Sequence, residues 1–167
     1  MKKFFILMLF MLLVSFVFVS CDESTEGEQN ASQPKVEEKT TIKGELVETE
    51  HFSVIKADGY SKMDIAGGIQ LYKGSNALEI WVRGTGLDES DAEDSCVGLQ
   101  KRYDGTETKK VSKFGLDFYT STYEAVGYPQ TVYITVKDGQ KIQIGIVGKT
   151  HETDETLQGM FESIKIK

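Results

Sequence analysis

Read for alternation alone, the chain from about residue 51 onward predicts strands. Val132, Ile134 and Val136 alternate with polar residues up to Lys137-Asp138-Gly139-Gln140, and Ile142, Ile144 and Ile146 alternate away from it. Asp-Gly between two such runs predicts a type I′ hairpin, because both central residues need positive φ. Leu78, Ile80 and Val82 share one face of another strand, with Glu79, Trp81 and Arg83 on the other. His51 to Ile55 alternates ahead of the turn Ala57-Asp58-Gly59-Tyr60, and Gly67-Gly68 opens a strand over Ile69 to Tyr72. From Phe114 to Tyr123, Phe114, Leu116, Phe118 and Thr120 fall on one side, and Asp117, Tyr119, Ser121 and Tyr123 on the other. Pro129 reads as the break between this strand and the hairpin.

Two segments follow a helical period instead. Ala92, Cys96, Leu99 and Tyr103 form one apolar stripe, with Asp88 or Ser90 as cap and Asp104-Gly105 as stop. Acids gather at its start and Lys101 and Arg102 near its end, as the helix macrodipole favours. A second helix over about 154–162 turns Leu157, Met160, Phe161 and Ile164 inward, before a short edge strand at the carboxy terminus with its lysines outward. This order is not a run of βαβ units. It predicts an α+β fold, an antiparallel sheet packed by helices.

The first twenty residues differ in kind. Lys2 and Lys3 precede an apolar run, Phe4 to Val19, broken only by Ser15, which is the grammar of a secretory signal. Phe18-Val19-Ser20-Cys21 resembles the lipobox of bacterial lipoprotein precursors, with Phe18 where an aliphatic residue is usual. That resemblance implies cleavage before Cys21, acylation of its thiol and a lipid anchor, palmitate among its chains, on the extracytoplasmic face of the cell membrane. The competing reading is an uncleaved transmembrane anchor, for which the run is somewhat short. After Cys21 the chain turns acidic. Nine acids face three lysines up to Glu50, and such a segment reads as a flexible tether, its last part, Ile42 to Glu48, able to pair as an edge strand. The expected organisation is therefore a signal at 1–20, a lipidated cysteine and tether at 21–50, and one domain at 51–167.

The order of elements in that domain resembles the PsbP-like fold, an α/β/α sandwich found in a photosystem subunit and in small envelope lipoproteins. The resemblance rests on Phe52-Ser53-Val54 leading to Gly59-Tyr60, on Phe114-Gly115-Leu116, on the Asp138-Gly139 hairpin and on the closing Leu157 to Ile164. Ala57-Asp58-Gly59-Tyr60 stands where the family usually has Pro-x-Gly-Trp. The likeness implies binding, adaptor or assembly roles more often than catalysis, and the anchor and tether make an envelope protein the expected partner.

Charge and motifs narrow the chemistry. The domain carries 17 acids against 14 bases and no basic stripe, which argues against nucleic-acid binding. No nucleotide or esterase motif is present, no cofactor is implied, and Cys96 reads as a small buried hydrophobe. A metal site is not expected: the acids from Asp88 to Asp94 lack a calcium loop's sixth-position glycine. His51 and His151 are the only histidines, and both are expected in surface or capping roles without catalysis. One candidate site remains. Trp81, Tyr119 and Tyr123, with Tyr72 beside them and Arg83 and Asp117 at their flanks, would line a glycan- or lipid-binding patch if no helix covered that sheet face. If the face is covered, these residues are core.

Overall fold

The computed structural model of the chain describes residues 42–167. The signal, Cys21 and most of the tether lie outside them. The elements run β1 (Gly44–Glu48), β2 (Phe52–Ala57), β3 (Ser61–Ile65), β4 (Gly68–Lys73), β5 (Asn76–Arg83), α1 (Glu89–Tyr103), β6 (Lys109–Lys113), β7 (Leu116–Ala125), β8 (Tyr128–Lys137), β9 (Gln140–Val147), α2 (Glu155–Glu162) and β10 (Lys165–Ile166).

Seven strands form one antiparallel sheet in the order β3-β4-β5-β9-β8-β7-β6, and β1, β2 and β10 form a second, smaller sheet. The hydrophobic patterning explains which face goes where. Leu78, Ile80, Ile142, Ile144 and Ile146, at or near zero exposure, face the small sheet and α2 in one core with Phe52, Val54, Leu157, Met160 and Phe161. Full burial of side chains of this size contributes about 1.5–3 kcal/mol each, so this layer holds most of the domain's stability. The opposite face is thinner. There α1 packs on β7 and β8, burying Ala92 and Cys96 against Tyr123, Val132 and Ile134.

Both helix starts follow from side chains. Asp88 caps α1, accepting from the Ser90 amide while Asp91 accepts from the Asp88 amide, a reciprocal capping box. Asp154 caps α2 through the Leu157 amide, and its second oxygen accepts from Asn76 Nδ2 at 2.7 Å, tying the helix to the start of β5.

The Asp138-Gly139 turn has φ values of 52° and 75°, as a type I′ turn requires. The same geometry recurs at Phe114-Gly115 and Val126-Gly127, and this corrects two expectations. Phe114 is a turn residue, not a strand residue; its ring meets Phe118 and Phe161 edge-on. Pro129 is not a break but the second residue of β8, near the strand's start, where a missing donor costs least. The domain also begins earlier than residue 51. Strand β1 pairs with β2 from Gly44↔Ala57 to Glu48↔Ser53, and Ile42 packs on the core.

Candidate functional site

Register decides what becomes of the aromatic patch. Directly opposed residues of an antiparallel pair share a face, so Gly68, Trp81, Gln143, Ile134, Tyr119 and Lys110 make one row across six strands. Trp81 and Tyr119 therefore do point the same way. Two strands separate them, however, about 14 Å at ordinary strand spacing, and α1 lies over the intervening Ile134. Tyr119 donates its hydroxyl to Glu89 on α1 at 3.0 Å, and Glu89 also accepts from Lys110 at 2.6 Å. These bonds hold the exposed Glu89 carboxyl below its usual range and raise the Tyr119 hydroxyl. Asp117 belongs to the same group, accepting from Ser112 at 2.6 Å with Lys110 Nζ at 3.5 Å. Tyr123 lies under the end of α1, its ring stacked on Tyr103 at 5.0 Å; burial pushes its hydroxyl up to about 12. Tyr119 and Tyr123 thus serve the packing of α1, while Asp117 pairs with Ser112 and Lys110 along the β6–β7 edge.

Trp81 and Arg83 stand apart from them. The Arg83 guanidinium lies 4.4 Å over the Trp81 ring and donates to the Ala66 carbonyl, while the buried Trp81 Nε1 has no acceptor among the described residues. On this half of the face Met63, Tyr72 and Arg83 are exposed, and Gln70 donates to Glu79 beneath them. The five expected residues form two groups, and no single site unites them.

A cleft on the other face was not legible in the sequence. It measures about 470 Å³ and is lined by Thr106, Thr120, Thr122, Thr131, Tyr133 and His151, with Glu107, Lys109, Glu152 and Gln158 around its rim. It forms where coverage by α2 ends. After α1 the chain runs beside β7, the Thr106 amide donating to the Thr122 carbonyl and the Thr122 amide to Thr106 Oγ1. The link from β9 to α2 then folds back over the sheet and carries His151 inward.

His151 is 4% exposed, which corrects its expected surface or capping role. Its Nδ1 lies 2.9 Å from the Gly148 carbonyl, and its Nε2 lies 2.9 Å from Thr131 Oγ1. A carbonyl only accepts, so in the neutral ring the proton sits on Nδ1 and Nε2 accepts from Thr131. Thr131 in turn accepts from Thr122 at 2.9 Å, and the three side chains form a directed chain ending at Gly148. The Gln158 amide donates to the His151 carbonyl and fixes the loop from the helix side.

Hydroxyl, imidazole and an orienting acceptor are the parts of a nucleophile–base pair. The backbone around that hydroxyl is committed to the sheet. Thr131 lies inside β8, paired on both sides, so the neighbouring backbone amides belong to the ladder and leave no donor pair for an oxyanion. Among the described residues no three ligating side chains converge on a metal position. Cys96 is fully buried; burial raises its thiol, against a weaker opposing effect from the Thr108 hydroxyl, which donates to it.

Among solved structures, the solution structure of a cyanobacterial PsbP protein, CyanoP from Synechocystis, matches with a TM-score of 0.50 and 10% identity, over 70% of this chain and 86% of that one. A crystal structure from Bacteroides thetaiotaomicron matches with a TM-score of 0.49 and 13% identity over 70% of this chain, and the chain spans 45% of that protein's length. No family model and no curated protein sequence matches the chain. At such identities the likeness concerns architecture: the domain has a PsbP-like α+β fold.

Proposed function

We propose that the chain is an envelope lipoprotein, cut before Cys21 and held by lipid on the extracytoplasmic face of a membrane, and that its folded part is a non-enzymatic protein-binding or assembly module. The anchor rests on the apolar run to Val19 and on Val19-Ser20-Cys21. The observation that carries the binding role is the half-sheet beyond the reach of α1, where Trp81, Arg83, Tyr72 and Met63 stay accessible in part or in full. Tryptophan, tyrosine, methionine and arginine are the residues enriched at protein interfaces. They stand here on rigid strands, so little side-chain order remains to be lost on docking.

A photo-cross-linking residue in place of Met63, in intact cells, tests the binding role. The expected result is a discrete adduct with one envelope protein, lost when Trp81→Ala is added and not formed from Lys113 on the far sheet edge. The same adduct from both positions, or none from Met63, would overturn it. For the anchor, cells fed a clickable palmitate analogue should label the wild type and leave Cys21→Ala unlabelled. A wild type that stays unlabelled and keeps its signal would instead be a transmembrane protein.

A further inference from the structure

We propose that the threonine-lined cleft is a binding site for a small, uncharged, polyhydroxylated ligand, a sugar or a polyol. This site lies on the opposite face of the sheet from the Trp81 strip and stands or falls independently of it.

Three features of the cleft point to that chemistry. The first is its size, about 470 Å³, within the range of ~300–1,000 Å³ that holds small ligands. The second is its charge. Among the described residues at the rim, two acids, Glu107 and Glu152, stand against one lysine, Lys109, so phosphate, sulfate or a carboxylate would meet repulsion. The third is the supply of hydroxyls. The rows Lys109–Thr120–Tyr133 and Thr122–Thr131–Ile146 run across β6 to β9, placing Thr120, Tyr133, Thr122 and Thr131 side by side on one face.

Their hydrogen bonding is ordered but unsaturated. The direction imposed by Gly148 on His151 carries through Thr131 to Thr122, leaving the Thr122 oxygen with acceptor capacity toward the cleft. Thr120 and Tyr133 make no side-chain hydrogen bond among the described residues, and both are half-buried. A ligand hydroxyl donates and accepts at once, so a ring of them matches a wall of hydroxyls flanked by two carboxylates. A lipid chain would instead desolvate those hydroxyls without replacing their bonds. His151 acts here as a positioning residue, setting the direction of the chain.

The test is a titration of the full-length protein in detergent micelles, carrying ¹³C-methyl threonine, with methyl α-D-glucoside, N-acetylglucosamine and myo-inositol as separate probes. Saturable shifts are expected at Thr120, Thr122 and Thr131 for at least one probe, with Thr85, exposed in the link between β5 and α1, unmoved. A ligand of this size binds at about 1 mM, so concentrations up to about 50 mM suffice. Thr120→Val removes a hydroxyl that no other described side chain uses and keeps a strand-favouring shape; it should weaken binding about tenfold, a loss near 1.4 kcal/mol. Thr131→Val, which also disconnects His151, should weaken it at least as much. Absence of saturable shifts with all three probes would overturn the proposal. So would unchanged affinity in a folded Thr120→Val, or equal shifts from potassium phosphate, which would identify an anion site.

Discussion

The two faces of the seven-stranded sheet are covered to different depths. On one, α2 and the small sheet bring Phe52, Val54, Leu157, Met160 and Phe161 down on the isoleucines of β5 and β9. On the other, α1 contributes Ala92 and Cys96 as its fully buried side chains, with Leu99 partly buried, and its packing falls mainly on β7 and β8. The difference follows from the helices' own residues. α2 offers a leucine, a methionine and a phenylalanine within eight residues; α1 is nearly twice as long, but the residues it buries fully, Ala92 and Cys96, are small, and Tyr103 at the end of its stripe stays exposed. Stability is concentrated under α2, and both candidate binding surfaces lie where coverage stops: the cleft at the margin of the α2 layer, the Trp81 strip beyond α1.

The comparison is broken most severely by emptying the deeper layer. Leu157→Ala or Phe161→Ala should destabilise the domain by about 2–5 kcal/mol, whereas Cys96→Ala, which removes one sulfur under α1, should cost about 1 kcal/mol. Denaturant unfolding followed by circular dichroism would check this, and equal losses on the two faces would contradict the account.

A pH series sharpens the account of the α1 layer. Tyr123 has a folded pKa near 12, raised by burial first and Tyr103 second, against an ordinary value of 10.0. The folded state holds this proton more tightly than the unfolded one, so the contribution is intact below pH 10. It is lost as pH rises from 10 toward 12, at up to about 1.4 kcal/mol per pH unit. Tyr123→Phe should flatten that part of the stability profile and leave stability near pH 7 within about 1 kcal/mol of wild type.

The helix cap carries a smaller effect. Asp88→Ala removes the acceptor for the Ser90 amide and should cost about 1 kcal/mol, less than any loss under α2. A comparable gain is available at the β7–β8 hairpin. Val126 is a β-branched residue at φ 54° with 94% exposure, so it carries strain that no packing offsets. Val126→Asn should stabilise by about 1 kcal/mol, read as a higher midpoint with unchanged slope in urea.

Much of this architecture was legible in the chain because patterning and packing agreed. The inward faces of β5, β9 and α2, the Asp88 cap, the Asp104 stop and the Asp138-Gly139 turn all rest on local rules that the sheet then reinforces. The strands β3, Ser61 to Ile65, and β6, Lys109 to Lys113, were not foreseen. They are the outer strands of the large sheet; nearly all their residues are exposed, and only Ile65 and Val111 are partly covered, so neither has a buried row to produce alternation. Phe114 and Val126 hid two type I′ turns, since residues of that shape rarely adopt positive φ.

By itself, the sequence determined the fold class, the two helices and the inward face of each long strand, since period and capping act within a few residues of one another. The tertiary structure alone decided which of those faces stayed open. Tyr119 and Trp81 carry the same alternating signature, yet α1 covers one and stops short of the other. His151, Thr131 and Thr122 are separated in sequence and meet only because β7, β8 and the loop after β9 converge. Such encounters depend on register and on where a helix ends, and neither is written in the residues that meet.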